Sequence, residues 1–169
     1  MCIRDSVWGS IITVFMLSLS LGYLLGGRLS VNNPSLQRFA AIFALGAVLL
    51  YPLILFAEPV MEFIFLRIED PRYGSLMASA FLFILPTVIL GMISPYSVRL
   101  LVTKVEESGQ VAGTLYFVST LGSAIGTLMT SFYFILWFEV NTVLTLLTVV
   151  LLIVTGVAML AARRSSKSR

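Results

Sequence analysis

A chain of 169 residues that is 59% apolar and 11% charged, with a formal net charge of +3 and a mean hydropathy of +1.02, is too apolar for a water-soluble domain. Histidine is absent and Cys2 is the single thiol, which excludes a disulfide framework, a Cys/His zinc site and a Cys–His nucleophile pair within the chain. The fold class is therefore all-α: a polytopic transmembrane helix bundle whose first partner is the lipid bilayer.

The chain opens on MCIRDS, a polar lead holding the only cysteine. It has neither the short basic start usual for inner-membrane proteins nor a signal-peptide cleavage pattern. Five later stretches supply the roughly 20 apolar residues needed to cross about 30 Å of hydrocarbon: 7–26, 38–57, 75–101, 112–137 and 140–162. In the first, LSLGYLLGG places Ser18, Gly22 and Gly26 four residues apart. Lipid gives little hydrophobic drive between helices, so small residues that let backbones approach mark a packing face.

After the second span comes EPVMEFIFLRIEDPRYG, where Met61, Ile64, Phe65 and Ile68 recur at helical spacing behind Pro59. The pattern predicts a short amphipathic helix lying in the interface over 59–69, with Glu58, Glu62, Glu69 and Asp70 toward water; a plain loop is the alternative. The third span, SLMASAFLFILPTVILGMISPYSVRLL, carries Pro86, Gly91 and Pro95. Each proline removes a backbone donor, so a kink is expected, either fitting the bundle or lining a site.

The fourth span carries two stripes of its own. Gly122, Gly126 and Thr130 read as a second packing face, so that both small-residue stripes would belong to one compact bundle. Ser119, Ser123, Thr127 and Ser131 form a hydroxyl stripe that either packs or lines a polar cavity, since Ser and Thr can hold a solute without burying charge. The basic tail, 163–169, holds Arg163, Arg164, Lys167 and Arg169. It fixes orientation and meets anionic lipid, and without an aromatic platform it does not suit nucleic acid.

Charges divide by side. Arg28 and Arg38 flank the first connection and Arg99 and Lys104 the third, with the tail on the same side; opposite them Arg67 and Arg72 are outnumbered by Glu58, Glu62, Glu69, Asp70 and Glu139. The excess of Lys and Arg predicts that these three segments are cytoplasmic, in a multi-pass bacterial inner (plasma) membrane protein with a cytoplasmic C-terminus. Trp8, Tyr73 and Trp137 then fall at the outer interface, and Tyr96 and Tyr116 near the inner one. No Asp, Glu, Lys or Arg stands near the middle of a span, so the usual proton relay of coupled transporters is not expected.

The stretches VWGSIITVFMLSLSLGYLLGGRLS, LPTVILGMISPYSVRLL and GQVAGTLYFVSTLGSAIGTLMTSFYFI resemble the membrane region of the fused major-facilitator-like/spermidine synthase family, over nearly all of residues 7–162. Gly22, Tyr23, Gly26, Gly27 and Arg28 are similar to that family's turn into the first cytoplasmic loop, with Gly27 and Arg28 as the loop motif. Gly113, Leu115, Tyr116, Thr120, Leu121, Gly122 and Gly126 match the entry to its later helix, and Gly91 with Pro95 its G-x-x-x-P step. The chain departs from the pattern after Ser30, where Val31, Asn32 and Asn33 stand in place of an acid and a base.

The resemblance implies one more helix ahead of V-W-G-S, giving six spans in an intact, major-facilitator-like half. MCIRDS back-translates to ATGTGTATAAGAGACAG, which looks like a transposon end used as a sequencing adapter, so residues 1–6 are read as an adapter-derived scar. The resemblance also implies a cytoplasmic aminopropyltransferase-like synthase domain as a partner, or a second helix bundle. The glycine-rich strand–turn–helix pattern that would hold an adenosyl cofactor is not found in these residues, and no catalytic, cofactor-binding or metal-binding residue is expected. Three readings stay open: a non-catalytic membrane module of a spermidine-synthase-like protein that anchors and moves polyamine or another small solute, half of a major-facilitator-type transporter, or a helix-bundle scaffold for partner proteins.

Overall fold

The computed structural model describes residues 3–31, 34–102 and 104–167. In chain order these form α1 (Ile3–Val31), α2 (Leu36–Arg67), α3 (Pro71–Gly91), α4 (Ile93–Leu101), a 3-10 turn at Val105–Glu107, α5 (Ser108–Met129), a π-helical turn at Thr130–Phe134, α6 (Ile135–Trp137) and α7 (Val140–Lys167). Among the described residues there is no strand, and five helical stretches are long and apolar enough to cross a membrane: Asp5–Val31, Leu36–Arg67, Pro71–Leu101, Val105–Trp137 and Val140–Arg164. The fold is an all-α bundle of membrane-spanning helices. Met1 and Cys2 of the lead, Asn32 and Asn33 of the first loop, and Arg169 of the tail lie outside the described residues.

Local chemistry sets the helix ends. Ser35 caps α2, its Oγ accepting the Arg38 amide at 3.3 Å, and Asp70 caps α3, its Oδ1 accepting the Arg72 amide at 2.9 Å with Pro71 at the first helical position. Each side chain satisfies one of the amides that a helix start leaves without an internal partner. Proline at that first position loses nothing, because its missing N–H would have been unpaired.

The expected interfacial helix at 59–69 is not a separate element. α2 continues for 32 residues through Pro52 and Pro59 to Arg67, and the Ile68 amide closes it on the Ile64 carbonyl at 2.9 Å. Packing explains the continuity. Pro59, Val60, Phe63 and Ile64 face Met77 and Phe81 of α3 across an apolar groove, and the Phe65 ring lies over Gly74, where an added Cβ would come within 2.8 Å of it. A helix supported on one side by a neighbour tolerates the donor that a proline removes. At about 48 Å, α2 exceeds the ~30 Å hydrocarbon thickness, so its acidic last turns can reach past the lipid.

The third span is disturbed for one residue, at Met92 rather than at either proline, and Met92 itself keeps helical dihedrals of φ −65° and ψ −21°. Pro95 has no amide to give the Gly91 carbonyl, and its ring crowds that same carbonyl four residues back. The chain responds one residue after Gly91: the Met92 amide is shared between the Val88 and Ile89 carbonyls, both at 3.2 Å, and the helix runs on as α4 from Ile93, the Tyr96 amide bonding the Met92 carbonyl at 3.3 Å. Pro86 sits inside α3 without ending it.

α1 lies parallel to α3, and α2 packs between α3 and α7. The α1–α3 seam runs from Phe15, whose ring is 5.2 Å from that of Phe83, to Gly22 and Gly91. A Cβ on Gly22 would overlap the Val88 carbonyl oxygen and come within 2.9 Å of the Gly91 Cα; one on Gly26 would meet the Met92 Cα at 2.7 Å. Ser18, 1% exposed, turns its hydroxyl onto the Val14 carbonyl at 2.6 Å. The stripe of Ser18, Gly22 and Gly26 thus lies against α3 and the helix distortion, where close backbone approach supplies the dispersion contacts that hold helices together in lipid. On the other side of α2, Ala47 and Leu50 form a core with Leu151 of α7, flanked by Phe43 and Leu90.

The fourth span is arranged differently. α5 packs on α4, and no residue from Ser108 to Met129 is buried. The expectation that both small-residue stripes join one compact bundle needs correction: nothing among the described residues lies within 4 Å of a Cβ placed on Gly122 or Gly126. Thr130 is drawn into the π-helical turn, where the Ile135 amide reaches back to the Thr130 carbonyl.

A hydroxyl-lined candidate cleft

The distortion at Met92 carries Ser94 and Pro95 out along α4, beside the last third of α1 and opposite the first half of α5. Between them is a cleft of about 490 Å³, walled by Tyr23 from α1, by Ser94 and Pro95 from α4, and by Tyr116, Ser119, Thr120 and Ser123 from α5. This volume falls within the range of about 300–1,000 Å³ usual for small-molecule pockets. The four α5 residues stand at i, i+3, i+4 and i+7, one face of a helix.

The span hydroxyls fall into two groups, and those of the cleft share the second with Ser20, Thr87, Thr130 and Ser131. Most span hydroxyls turn back on their own helix: Thr127 donates to the Ser123 carbonyl at 2.8 Å, Thr148 to Leu144 at 2.9 Å and Thr155 to Leu151 at 2.8 Å. Tyr23, Ser94, Tyr116, Ser119, Thr120 and Ser123 have no hydrogen-bond partner among the described residues. Each hydroxyl offers a donor and two acceptor lone pairs, and an unmet hydroxyl at membrane depth costs free energy until water or a solute meets it. Ser123 lies about 22 Å along α5 from its first residue, so the cleft reaches from one end of the bundle toward mid-membrane.

No ionisable group other than the two tyrosines lines the cleft. Arg28 lies five residues past Tyr23 and Arg99 four residues past Pro95, both exposed. The end of the bundle where the cleft begins thus carries Arg28 and Arg99 together with Glu106 and Glu107, just ahead of α5.

Of the residues assigned from sequence to a polar cavity, Ser119 and Ser123 line the cleft, whereas Thr127 and Ser131 do not. The reason is helical drift: a four-residue step advances about 40° beyond a full turn, so three steps carry Ser131 about 120° away from Ser119. Gly27 and Arg28, assigned to a loop motif, are still helical, since α1 runs on to Val31, and nothing lies within 4 Å of a Cβ on Gly27. Tyr23, Ser94, Tyr116 and Thr120 were not assigned to a cavity by sequence. For the three on α5 and α4 the i, i+3, i+4, i+7 polar pattern from Tyr116 was the available signal, with Ser94 standing beside Pro95; nothing in the letters tied Tyr23 to them.

A second feature stiffens one wall. Tyr96, next to Pro95, is fully buried rather than lying in an interfacial belt. Its hydroxyl accepts the Ser35 amide at 3.0 Å and donates to the Ser35 carbonyl at 3.2 Å, and its ring stacks on Phe39 with centroids 5.9 Å apart. Among the described residues no group of three or more His, Cys, Asp or Glu is placed to hold a metal ion.

Fold and cleft together define a class: a multi-span membrane helix bundle with a polar recess. No protein-family model, curated protein or solved structure matches the chain.

Proposed function

We propose that this chain is the non-catalytic membrane module of a spermidine-synthase-like protein, anchoring it in a bacterial inner membrane with the C-terminus cytoplasmic and admitting a polyamine or another small solute to the cleft. One observation carries the solute-binding part: six hydroxyl-bearing side chains from three helices converge on one recess, with no partner among the described residues. Ser94, Ser119, Thr120 and Ser123 do not turn their hydroxyls onto carbonyls of their own helices, as most other Ser and Thr of the spans do. The anchoring part rests on the five apolar spans and on the sequence resemblance.

A second reading, half of a major-facilitator-type transporter, is favoured by one feature. α5 meets the bundle through α4 while the face carrying Gly122 and Gly126 meets no other helix, as expected of a helix awaiting a further one.

Cysteine scanning tests the cleft directly. Cys2 is the only thiol to remove, after which Ser119→Cys and Ser123→Cys should react with a membrane-impermeant maleimide in inside-out membrane vesicles, which expose the predicted cytoplasmic end where the cleft begins. Ile125→Cys, on the opposite side of α5 and 53% exposed, should stay unreactive because it faces lipid. Equal silence at all three positions would sink the water-accessible cleft.

A further inference from the structure

Resting on the reading of the cleft as a solute site, we infer that its occupant is an uncharged molecule carrying several hydroxyl or amide groups, such as a polyol, and not a polyammonium ion. The argument is electrostatic. A di- or tri-cation entering a low-dielectric recess loses its hydration, and hydroxyl dipoles alone do not replace it; a carboxylate partner is the usual compensation. The cleft has none.

The acids nearest along the chain, Glu106 and Glu107, precede α5. Glu107 is about 14 Å along the helix from Tyr116, the nearest lining residue of α5, beyond the ~10 Å over which exposed charges act in ordinary salt. The basic residues are closer in sequence to the lining: Arg28 and Arg99 stand one to one and a half turns from Tyr23 and Pro95. The mouth carries both signs of charge, and a cation that enters is uncompensated inside.

A neutral polyol needs no such counter-charge. Its hydroxyls exchange water for Ser94, Ser119, Thr120 and Ser123, each able to donate and accept, and the rings of Tyr23 and Tyr116 cover its C–H faces. The pairing of hydroxyl with hydroxyl also leaves no unmatched charge behind when the solute departs, which a conducting site requires.

The experiment is entry of labelled probes into liposomes holding the full chain: mannitol, myo-inositol and urea as neutral probes, spermidine and putrescine as polyamines. The expected result is saturable, protein-dependent entry of at least one neutral probe and of neither polyamine. Ser119→Ala/Ser123→Ala should slow that entry about tenfold, the effect of losing one or two ligand hydrogen bonds, and Tyr23→Phe should slow it less, with thermal midpoints unchanged in both. Entry of a polyamine without any neutral probe overturns the inference and leaves the solute-binding module standing. Entry of no probe, with cysteines at 119 and 123 still labelled, also overturns it while leaving a water-filled cleft; loss of that labelling removes the underlying reading as well.

Discussion

The Tyr96 hydroxyl holds both backbone polar groups of Ser35, accepting from its amide at 3.0 Å and donating to its carbonyl at 3.2 Å across 61 residues of sequence. Ser35 is also the residue whose side chain starts α2. One buried phenol therefore ties the entry of the central helix to α4, the helix that carries Pro95 into the cleft wall.

Tyr96→Phe keeps the ring stacked on Phe39 and removes only this latch. Leaving the Ser35 groups half-buried and unmet should cost about 1–3 kcal/mol, which for a chain of this size lowers the thermal midpoint by about 2–12 °C. A melt in detergent measures it. A variant melting with the native protein would show that water replaces the phenol without loss.

Gly22 and Gly122 provide a matched pair. Gly22→Leu should prevent α1 from meeting α3, because even a Cβ there overlaps the Val88 carbonyl, and overpacking of this kind costs several kcal/mol where backbone is the obstacle. Gly122→Leu should leave the fold of the single chain intact, since its surroundings are open. Size-exclusion profiles and melts of the two variants decide the matter; equal damage at both sites would show that the fourth span has a tight partner.

Pro95→Ala restores an amide for the Gly91 carbonyl and removes the ring that crowds it. The expected outcome is a straighter α3–α4 helix, with the far end of α4 swinging. Spin labels at Tyr73 and Arg99, both exposed, should move apart by several ångströms in pulsed distance measurements. No change would place the cause of the distortion in the α1 seam at Gly26 instead.

Orientation has its own check. Reporter fusions or impermeant labels at Arg38 and Arg164 should find both on the cytoplasmic side, and Glu69 on the other. Opposite placement of the two arginines would overturn the alternating topology.

Much of the fold was legible because lipid imposes a simple code. Length and hydropathy located all five spans, and the stripe of Ser18, Gly22 and Gly26 matches the α1 seam because only small residues permit that contact. The same spacing misled at Gly122 and Gly126: a stripe states that a face could pack closely, and says nothing of whether a neighbour is there. Pro59 misled in the other direction. Proline and a run of acids read as a boundary, yet tertiary support from Met77 and Phe81 carries α2 straight through. The distortion at Met92 was expected in its region and missed in its position, since a proline acts on the carbonyl four residues earlier. Tyr23 joins the cleft solely through the path of α1 across α4, a property of three dimensions that periodicity along one helix does not contain.

Leu50 of α2 touches Leu151 of α7, a partner that leaves the ribosome about 100 residues later. At ordinary synthesis rates that interval is about 5–20 s, far longer than helices need to form and meet. The α2 face around Ala47 and Leu50 accordingly spends the whole interval against lipid or the insertion machinery, and the last helix seats itself on a surface that has been waiting for it. Assembly of this half of the molecule is paced by translation, so a pause or truncation after α5 would strand an intermediate in which α2 has α3 beside it but lacks α7.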